Sequence, residues 1–191
     1  MWSMLPDQLK KFRDIVTLKD GVNVLLRPMT AEDEAQLAAL FSPISEEDLR
    51  YLRDNVKDPK VVSSWCQTLD YSRVLPLLAL VKDRVVGQAT LHFRTGPKRH
   101  LGEVRIFLAK DFRRRGLGSK MLATLIELAR RQGLHTLLAE IVADQSKVIK
   151  AFQNLGFVLR CNFEDYFMLP DGDTRDVAIL MHCLRPKVDE F

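Results

Sequence analysis

Residues 110–120 read KDFRRRGLGSK. Three consecutive arginines, Arg113 to Arg115, run into Gly116-Leu117-Gly118, and a segment with helical apolar spacing follows at Ser119. The first turn of a helix has four backbone N–H groups without intrahelical acceptors and carries a partial positive charge, so it attracts anions. Glycine permits backbone conformations and close approaches that a Cβ obstructs, which lets successive N–H groups converge on one phosphate. The chemistry on offer is therefore capture of a phosphate or pyrophosphate. Two familiar phosphate loops fail on spacing. G-x-x-x-x-G-K-[ST] needs a glycine five residues before Gly118 and a lysine directly after it, where Ser119 stands; G-x-G-x-x-G fails at Met121. What fits is R-x-x-G-x-G, Arg113 to Gly118.

The elements that must position this loop alternate in type. "VNVLLR" (22–27) predicts a strand. "TAEDEAQLAALF" predicts a helix with Thr30 as cap and Asp33 three residues on, and "SEEDLRYLRDNV" predicts a second acidic-start helix. "VLPLLALVKD" and "RVVGQATLHFR" are strand-like runs joined at a turn of hairpin length, Lys82-Asp83, and "GEVRIFLA" is a third strand. Leu117, Met121, Leu122, Leu125, Leu128 and Ala129 recur at helical spacing up to Gly133. "HTLLAEIVA" reads as a buried strand, "DQSKVIKAFQNLG" as a helix capped by Asp144 and stopped by Gly156. "FVLRCNF" and "RDVAILMHCL" read as a closing antiparallel pair around "LPDGDT". The order β-α-α-β-β-β-α-β-α-β-β implies an α/β (α+β) fold with a mixed, mostly antiparallel twisted sheet flanked by helices; it is not doubly wound, because most strands follow one another as hairpins.

The chain has 191 residues, 47% of them hydrophobic and 28% charged, with a net charge of +4. This is expected to form a single domain, residues 1–191, with a core over about 20–185, a short N-terminal extension and a C-terminal tail. No apolar run approaches the roughly 20 residues needed to cross a bilayer, so no membrane partner is expected. "MWSMLPDQLKKF" lacks the continuous apolar centre of a signal peptide, which points to the cytoplasm. Cys66, Cys161 and Cys183 have no metal-ligand or disulfide spacing and read as buried thiols; no metal is expected. Lys98, Arg99, His100, Arg105, Lys110 and Arg113 to Arg115 concentrate the positive charge in one region. That favours a compact anion site over a nucleic-acid track, and no helix-turn-helix or aromatic stacking platform accompanies the charge.

On the R-x-x-G-x-G loop, the strand before it and the element order from Val22 to Cys183, the sequence resembles the GNAT superfamily of acyl-CoA-dependent N-acetyltransferases. "VADQSKVIKAFQNLGF" resembles that family's next motif, whose helix ends in Gly-Phe, here Gly156-Phe157. The resemblance implies that Arg113, Arg114, Arg115, Gly116, Leu117, Gly118 and Ser119 bind the pyrophosphate of acetyl-CoA. It implies that Ile106, Phe107 and Leu108 bond to the pantetheine arm, with Gln145 and Phe152 also at the cofactor. Gln145 and Phe152 stand where the family commonly has Asn and Tyr, and that tyrosine is the usual proton donor to the departing thiolate. Within the superfamily, "LKDGVNVLLRPMTAEDEAQL", "FSPISEEDLRYL" and "GEVRIFLAKDFRRRGLGSKML" are similar to bacterial protein-lysine acetyltransferases that regulate acyl-CoA synthetases.

The resemblance also implies a catalytic role for Glu103 as general base toward a primary amine, with burial raising its pKa; the competing reading pairs it with Arg105, its same-face neighbour. A lysine with a pKa near 10.4 is almost wholly protonated at pH 7, so a base is useful. The acceptor is read as a protein lysine, with small amines as an alternative, in a monomer or homodimer. A non-catalytic acyl-CoA sensor is the reading of a different class. His92, His100, His135 and His182 lack metal spacing and read as surface or strand histidines; Trp65 and Cys66 read as core, with the lining of an acceptor pocket as the alternative.

Overall fold

The computed structural model describes residues 6–185, with the side chains of residues 6 and 7 excepted; the first five and last six residues of the expected extension and tail lie outside the described residues. The chain runs α1 (Pro6–Lys10), β1 (Asp14–Thr17), β2 (Asn23–Pro28), α2 (Glu34–Phe41), α3 (Glu46–Leu49), α4 (Pro59–Gln67), β3 (Val74–Val81) and β4 (Arg84–Phe93). It continues through β5 (Leu101–Leu108), α5 (Leu117–Arg131), β6 (Thr136–Val142), α6 (Ser146–Gln153), β7 (Val158–Met168) and β8 (Thr174–Cys183). The eight strands form one sheet in the order β1-β2-β3-β4-β5-β6-β8-β7. Neighbours are antiparallel except β5 and β6, which are parallel.

The middle strands are apolar on both faces and covered on both. Along β3, Leu75, Leu77, Leu78 and Ala79 are fully buried. Helix α5 carries its apolar residues three and four apart, so Leu117, Met121, Leu125 and Leu128 form one buried stripe against the sheet. Gly133, at φ 75°, ends the helix segment in the left-handed region that glycine adopts without strain. Helices α2 and α4 pack on the opposite face: Phe41 stands edge-on to Trp65, with ring centroids 6.0 Å apart, and meets Phe107 of β5 at 5.0 Å.

Several expectations change. The second predicted helix is only Glu46–Leu49, capped by Ser45 Oγ accepting from the Asp48 N–H at 3.1 Å. Beyond it Arg50, Tyr51 and Arg53 each bond to residues far along the chain, and Asp54-Asn55 turns the backbone. Helix α4 was not foreseen, although its signals are local: Asp58 accepts from the Lys60 N–H at 2.9 Å and Pro59 opens the first turn. Strand β1 and helix α1 were not foreseen either. Asp144 does not cap α6; its carboxylate accepts from the Tyr51 hydroxyl at 3.0 Å instead. Of the cysteines, Cys66 is buried while Cys161 and Cys183 are exposed.

Candidate active site

The site begins where two strands separate. Strands β5 and β6 pair only over Leu101↔Thr136, Gly102↔Leu137 and Glu103↔Leu138, whereas β5 stays paired with β4 to Leu108 and β6 with β8 to Val142. From Val104 onward the side of β5 that faces β6 is therefore open. Antiparallel bonds alternate. The Arg94 N–H donates to Leu101 O and the Ala109 N–H to Val86 O, which turns the Arg105 and Phe107 N–H groups toward β4 and those of Ile106 and Leu108 into the gap. The Leu108 carbonyl, facing the same way, accepts from Arg113 Nε at 3.1 Å. A cavity of about 770 Å³ opens from this gap, lined by Val104, Ile106, Ile141, Val142, Gln145 and Phe152, among others.

Beyond the C-terminal end of β5 lies the loop. Arg114 at φ 61° and Gly116 at φ 87° put left-handed residues at alternate positions, the backbone arrangement of an anion-binding concavity. The N–H groups of residues 114–119 donate to no protein acceptor among the described residues; the first helical bond is from the Lys120 N–H to Gly116 O. The backbone here forms a concavity suited to an anion. The arginine side chains have other work. Arg113 makes a bidentate pair with Asp48, 2.9 Å at each nitrogen, and lies over the Phe107 ring. Arg115 pairs with Asp20 at 2.5 Å, donates to Asp111 O and stacks on Phe112 at 4.2 Å. Their guanidiniums hold the Asp48 and Asp20 carboxyls below the ordinary range. Arg114 alone of the three has no side-chain partner among the described residues. Leu117 is fully buried, so its side chain belongs to the core and only its N–H faces the seat.

Over the N-terminal half of β5, on the face opposite α5, sit the polar groups. His92, Thr90 and Gln88 of β4 lie across from Glu103, Arg105 and Phe107. Glu103 is 1% exposed, and three guanidiniums close on its carboxylate: Arg105 Nε at 2.7 Å, Arg53 at 3.1 Å, and Arg94. Arg53 also bonds Glu140 of β6 at 2.5 Å. The expected rise in the Glu103 pKa is reversed: burial pushes it up, but the Arg105 hydrogen bond and the charges of all three arginines leave it below the usual value. The same charges act on His92, whose Nε2 lies 2.9 Å from Thr90 Oγ1; burial first, then Arg105, Arg53 and Arg94, push its pKa down to about 4.

Residues 36–157 match the sequence profile of the Acetyltransferase (GNAT) family. The chain belongs to that family. A GNAT relative, the ribosomal protein bS18-alanine N-acetyltransferase of Escherichia coli K12, is 34% identical over 71 residues, 37% of this chain and 47% of the relative, so the match spans about half the length of that protein. Among solved structures, the GNAT domain of PAT from S. lividans superposes with a TM-score of 0.75 at 22% identity, over 94% of this chain and 99% of that one. YncA from Salmonella typhimurium, a putative acetyltransferase solved with its cofactor acetyl-CoA, gives 0.73 at 20% identity, over 86% and 96%. GNAT acetyltransferases use acetyl-CoA as cosubstrate. The residues present here fit it: the free N–H groups of 114–119 suit its pyrophosphate, and the open edge of β5 at Ile106 and Leu108 suits an amide-bearing arm.

Within this GNAT fold the predicted residues fall into two sets. Gly116, Gly118 and Ser119 belong to the seat, Ile106 and Leu108 to the open edge. Phe107 contributes its ring to the opposite face. Gln145, just before α6, and Phe152 of α6 line the cavity, with Phe152 edge-on to Phe157 at 5.0 Å and 3% exposed, so no hydroxyl stands at that position. Sequence reading missed Tyr51, Arg53, His92 and Glu140, all of which line the cavity. His92 was given a bland role; its period-two placement opposite Glu103 was the available signal. Among the described residues no cluster of potential metal ligands forms, and no helix is long and apolar enough to cross a membrane.

Proposed function

We propose that this chain transfers the acetyl group of acetyl-CoA to a primary amine carried by a protein. One observation carries the reading: the gap between β5 and β6 opens at one end onto backbone N–H groups without acceptors among the described residues and at the other onto a polar face that lines an open cavity. Bound acetyl-CoA supplies an activated acyl carbon. Residues 114–119 hold its anionic end, and the Ile106 and Leu108 N–H groups orient its arm along β5. The acceptor approaches from the side of Tyr51, Arg53 and Tyr166 of β7, all three on the cavity wall. Protein amines are of two kinds, the lysine side chain read from the sequence and the N-terminal α-amine acted on by the alanine N-acetyltransferase relative. Glu103 remains the carboxylate nearest in kind to the expected base. Held by three arginines, however, it is a weak proton acceptor, and the acceptor must reach the site already poor in protons.

The test is release of free thiol from acetyl-CoA in the presence of protein and peptide amines, with titration calorimetry for acetyl-CoA alone. Amine-dependent thiol release is expected. Tight acetyl-CoA binding without thiol release from any amine would instead make the chain an acyl-CoA sensor.

A further inference from the structure

Strand β4 puts His92, Thr90 and Gln88 on the cavity wall, and the three are partnered unequally. Thr90 Oγ1 and His92 Nε2 lie 2.9 Å apart and satisfy one another. Gln88 is 7% exposed, and the only hydrogen bond of its side chain among the described residues runs from Nε2 to Met29 Sδ at 3.9 Å. A thioether sulfur accepts weakly and never donates, so the nitrogen is the end of the amide that is turned to Met29. Oε1 and the second N–H are left without a protein partner, on a side chain more than nine-tenths buried. Buried polar groups are ordinarily paired, and an unpaired one on the wall of a cavity marks a place where a ligand completes it.

The surroundings of Gln88 narrow the chemistry of that ligand. Phe107 lies directly across from it on β5, the Phe41 ring is 5.0 Å from Phe107, and Trp65 is edge-on to Phe41. With Met29 these side chains make this end of the cavity apolar. The ion pairs of the wall, Arg53 and Arg105 with Glu103 and Arg53 with Glu140, stand at the His92 end. Asp70 and Arg73 belong to the turn before β3, whose Val74 also pairs with His92. His92 and Gln88 are four residues apart, about 13 Å along a strand. A charged group beside Gln88 would lose its water without gaining a counter-charge, and an apolar group would leave the amide unpaired. A second carboxamide answers both ends, its N–H donating to Oε1 and its carbonyl accepting from the remaining N–H. We propose that Gln88 is a specificity-determining residue that reads a carboxamide on the acceptor, the side chain of an asparagine or glutamine beside the amine to be acetylated. Gln88 sits one strand in from the open edge of β5, a step of about 5 Å, which a side chain next to the reacting amine spans. The proposal rests on the acetyl-transfer reading above and holds for either kind of protein amine.

Two peptide series test this with acetyl-CoA: one with a free N-terminus and no lysine, the other with a blocked N-terminus and a single lysine, each with Asn, Leu or Asp beside the acceptor amine. The three side chains are close in size, so the comparison isolates hydrogen bonding and charge. In whichever series releases thiol, the Asn peptide should lead the other two by about tenfold or more in kcat/KM, with the difference in KM, because the Leu and Asp peptides leave the Gln88 amide unpaired or bury a charge. Gln88→Leu, a change of similar volume, should reverse the order of the Asn and Leu peptides. A titration followed by NMR needs neither turnover nor a variant: N-acetylasparagine amide should shift the side-chain N–H signals of Gln88, and N-acetylleucine amide should not. Equal kcat/KM values for the Asn and Leu peptides, a preference that survives Gln88→Leu in a folded variant, or Gln88 signals that ignore the asparagine compound would each overturn the proposal. No thiol release from any peptide would remove the acetyl-transfer reading, and the NMR titration would then decide the carboxamide subsite by itself.

Discussion

The proposed phosphate seat and the proposed acceptor face lie at opposite ends of strand β5 and are built by opposite means. The seat is backbone. Its N–H groups come from residues 114–119, a single stretch of chain, and its geometry follows from the left-handed conformations at Arg114 and Gly116. The acceptor face is side chain. Its charges come from Arg53, Arg94, Glu103, Arg105 and Glu140, drawn from four separate segments that only the sheet brings together. A backbone site tolerates exchange of most side chains and is destroyed by a change in conformation; a side-chain site behaves the other way round. The arginines of the loop illustrate this, since Arg113 and Arg115 brace it through Asp48 and Asp20 while the amides of residues 114–119 meet no acceptor among the described residues.

The largest effect should come from the acceptor face. Glu103→Ala would leave three guanidiniums converging on an emptied carboxylate site, and removing one partner of a buried ionic group costs about 3–5 kcal/mol; urea unfolding should show a loss of this size. A loss below about 1 kcal/mol would mean that the cluster is solvated and the contrast with the seat overstated. Next comes the seat, where Gly116→Val forces a β-branched residue to φ 87°, a strain of about 1–3 kcal/mol. We expect acetyl-CoA affinity to fall by roughly 100-fold or more in calorimetry, equivalent to about 2.7 kcal/mol, in a variant that keeps its near-ultraviolet circular dichroism. Gly118→Val should be milder than its motif position implies. Gly118 is helical, and an added Cβ would meet only the Leu108 and Ile106 side-chain ends at 3.3 and 3.7 Å.

A smaller effect separates brace from ligand. Asp48→Asn removes the charge that engages Arg113, and because the pair is about one-third exposed on each side it should cost no more than about 1 kcal/mol of stability. Arg114→Ala should be smallest, weakening acetyl-CoA binding only a fewfold while reducing its salt dependence. Acidification gives a further check. The His92 pKa is depressed from 6.5 to about 4, so the unfolded chain takes up the proton first and stability should fall as pH drops through that window, levelling off below it. His92→Gln should remove this part of the pH profile. An unchanged slope between pH 6.5 and 4 in the variant would assign it elsewhere.

The same contrast explains what could be read in advance. Contiguous signals were legible: the apolar spacing of α5, the hairpin at Lys82-Asp83, the Thr30 and Asp33 start of α2, and the R-x-x-G-x-G loop. The role of the individual loop arginines was not, because Asp48 and Asp20 lie 65 and 95 positions away and nothing local announces them. The overlong helix at SEEDLRYLRDNV failed for a related reason. Its local propensity is helical, but Arg50, Tyr51 and Arg53 gain partners at Asp171, Asp144 and Glu140, and those contacts override propensity. For Glu103 the pairing with Arg105 was legible from the period of two, while the two further arginines, and with them the direction of the pKa shift, depended on tertiary structure.

The separation of β5 from β6 leaves a signature in solvent exchange. In the interior of a sheet every amide is ordinarily slow to trade its proton for deuterium. Along β5 the alternation should be sharp: the amides of Arg105 and Phe107, bonded to β4, persist through many openings of the fold, while those of Ile106 and Leu108 trade within the time of mixing. A ligand that lies along this edge would silence the fast pair and leave the slow pair unmoved, so two amides in the centre of the molecule report occupancy of the cleft without any label or turnover.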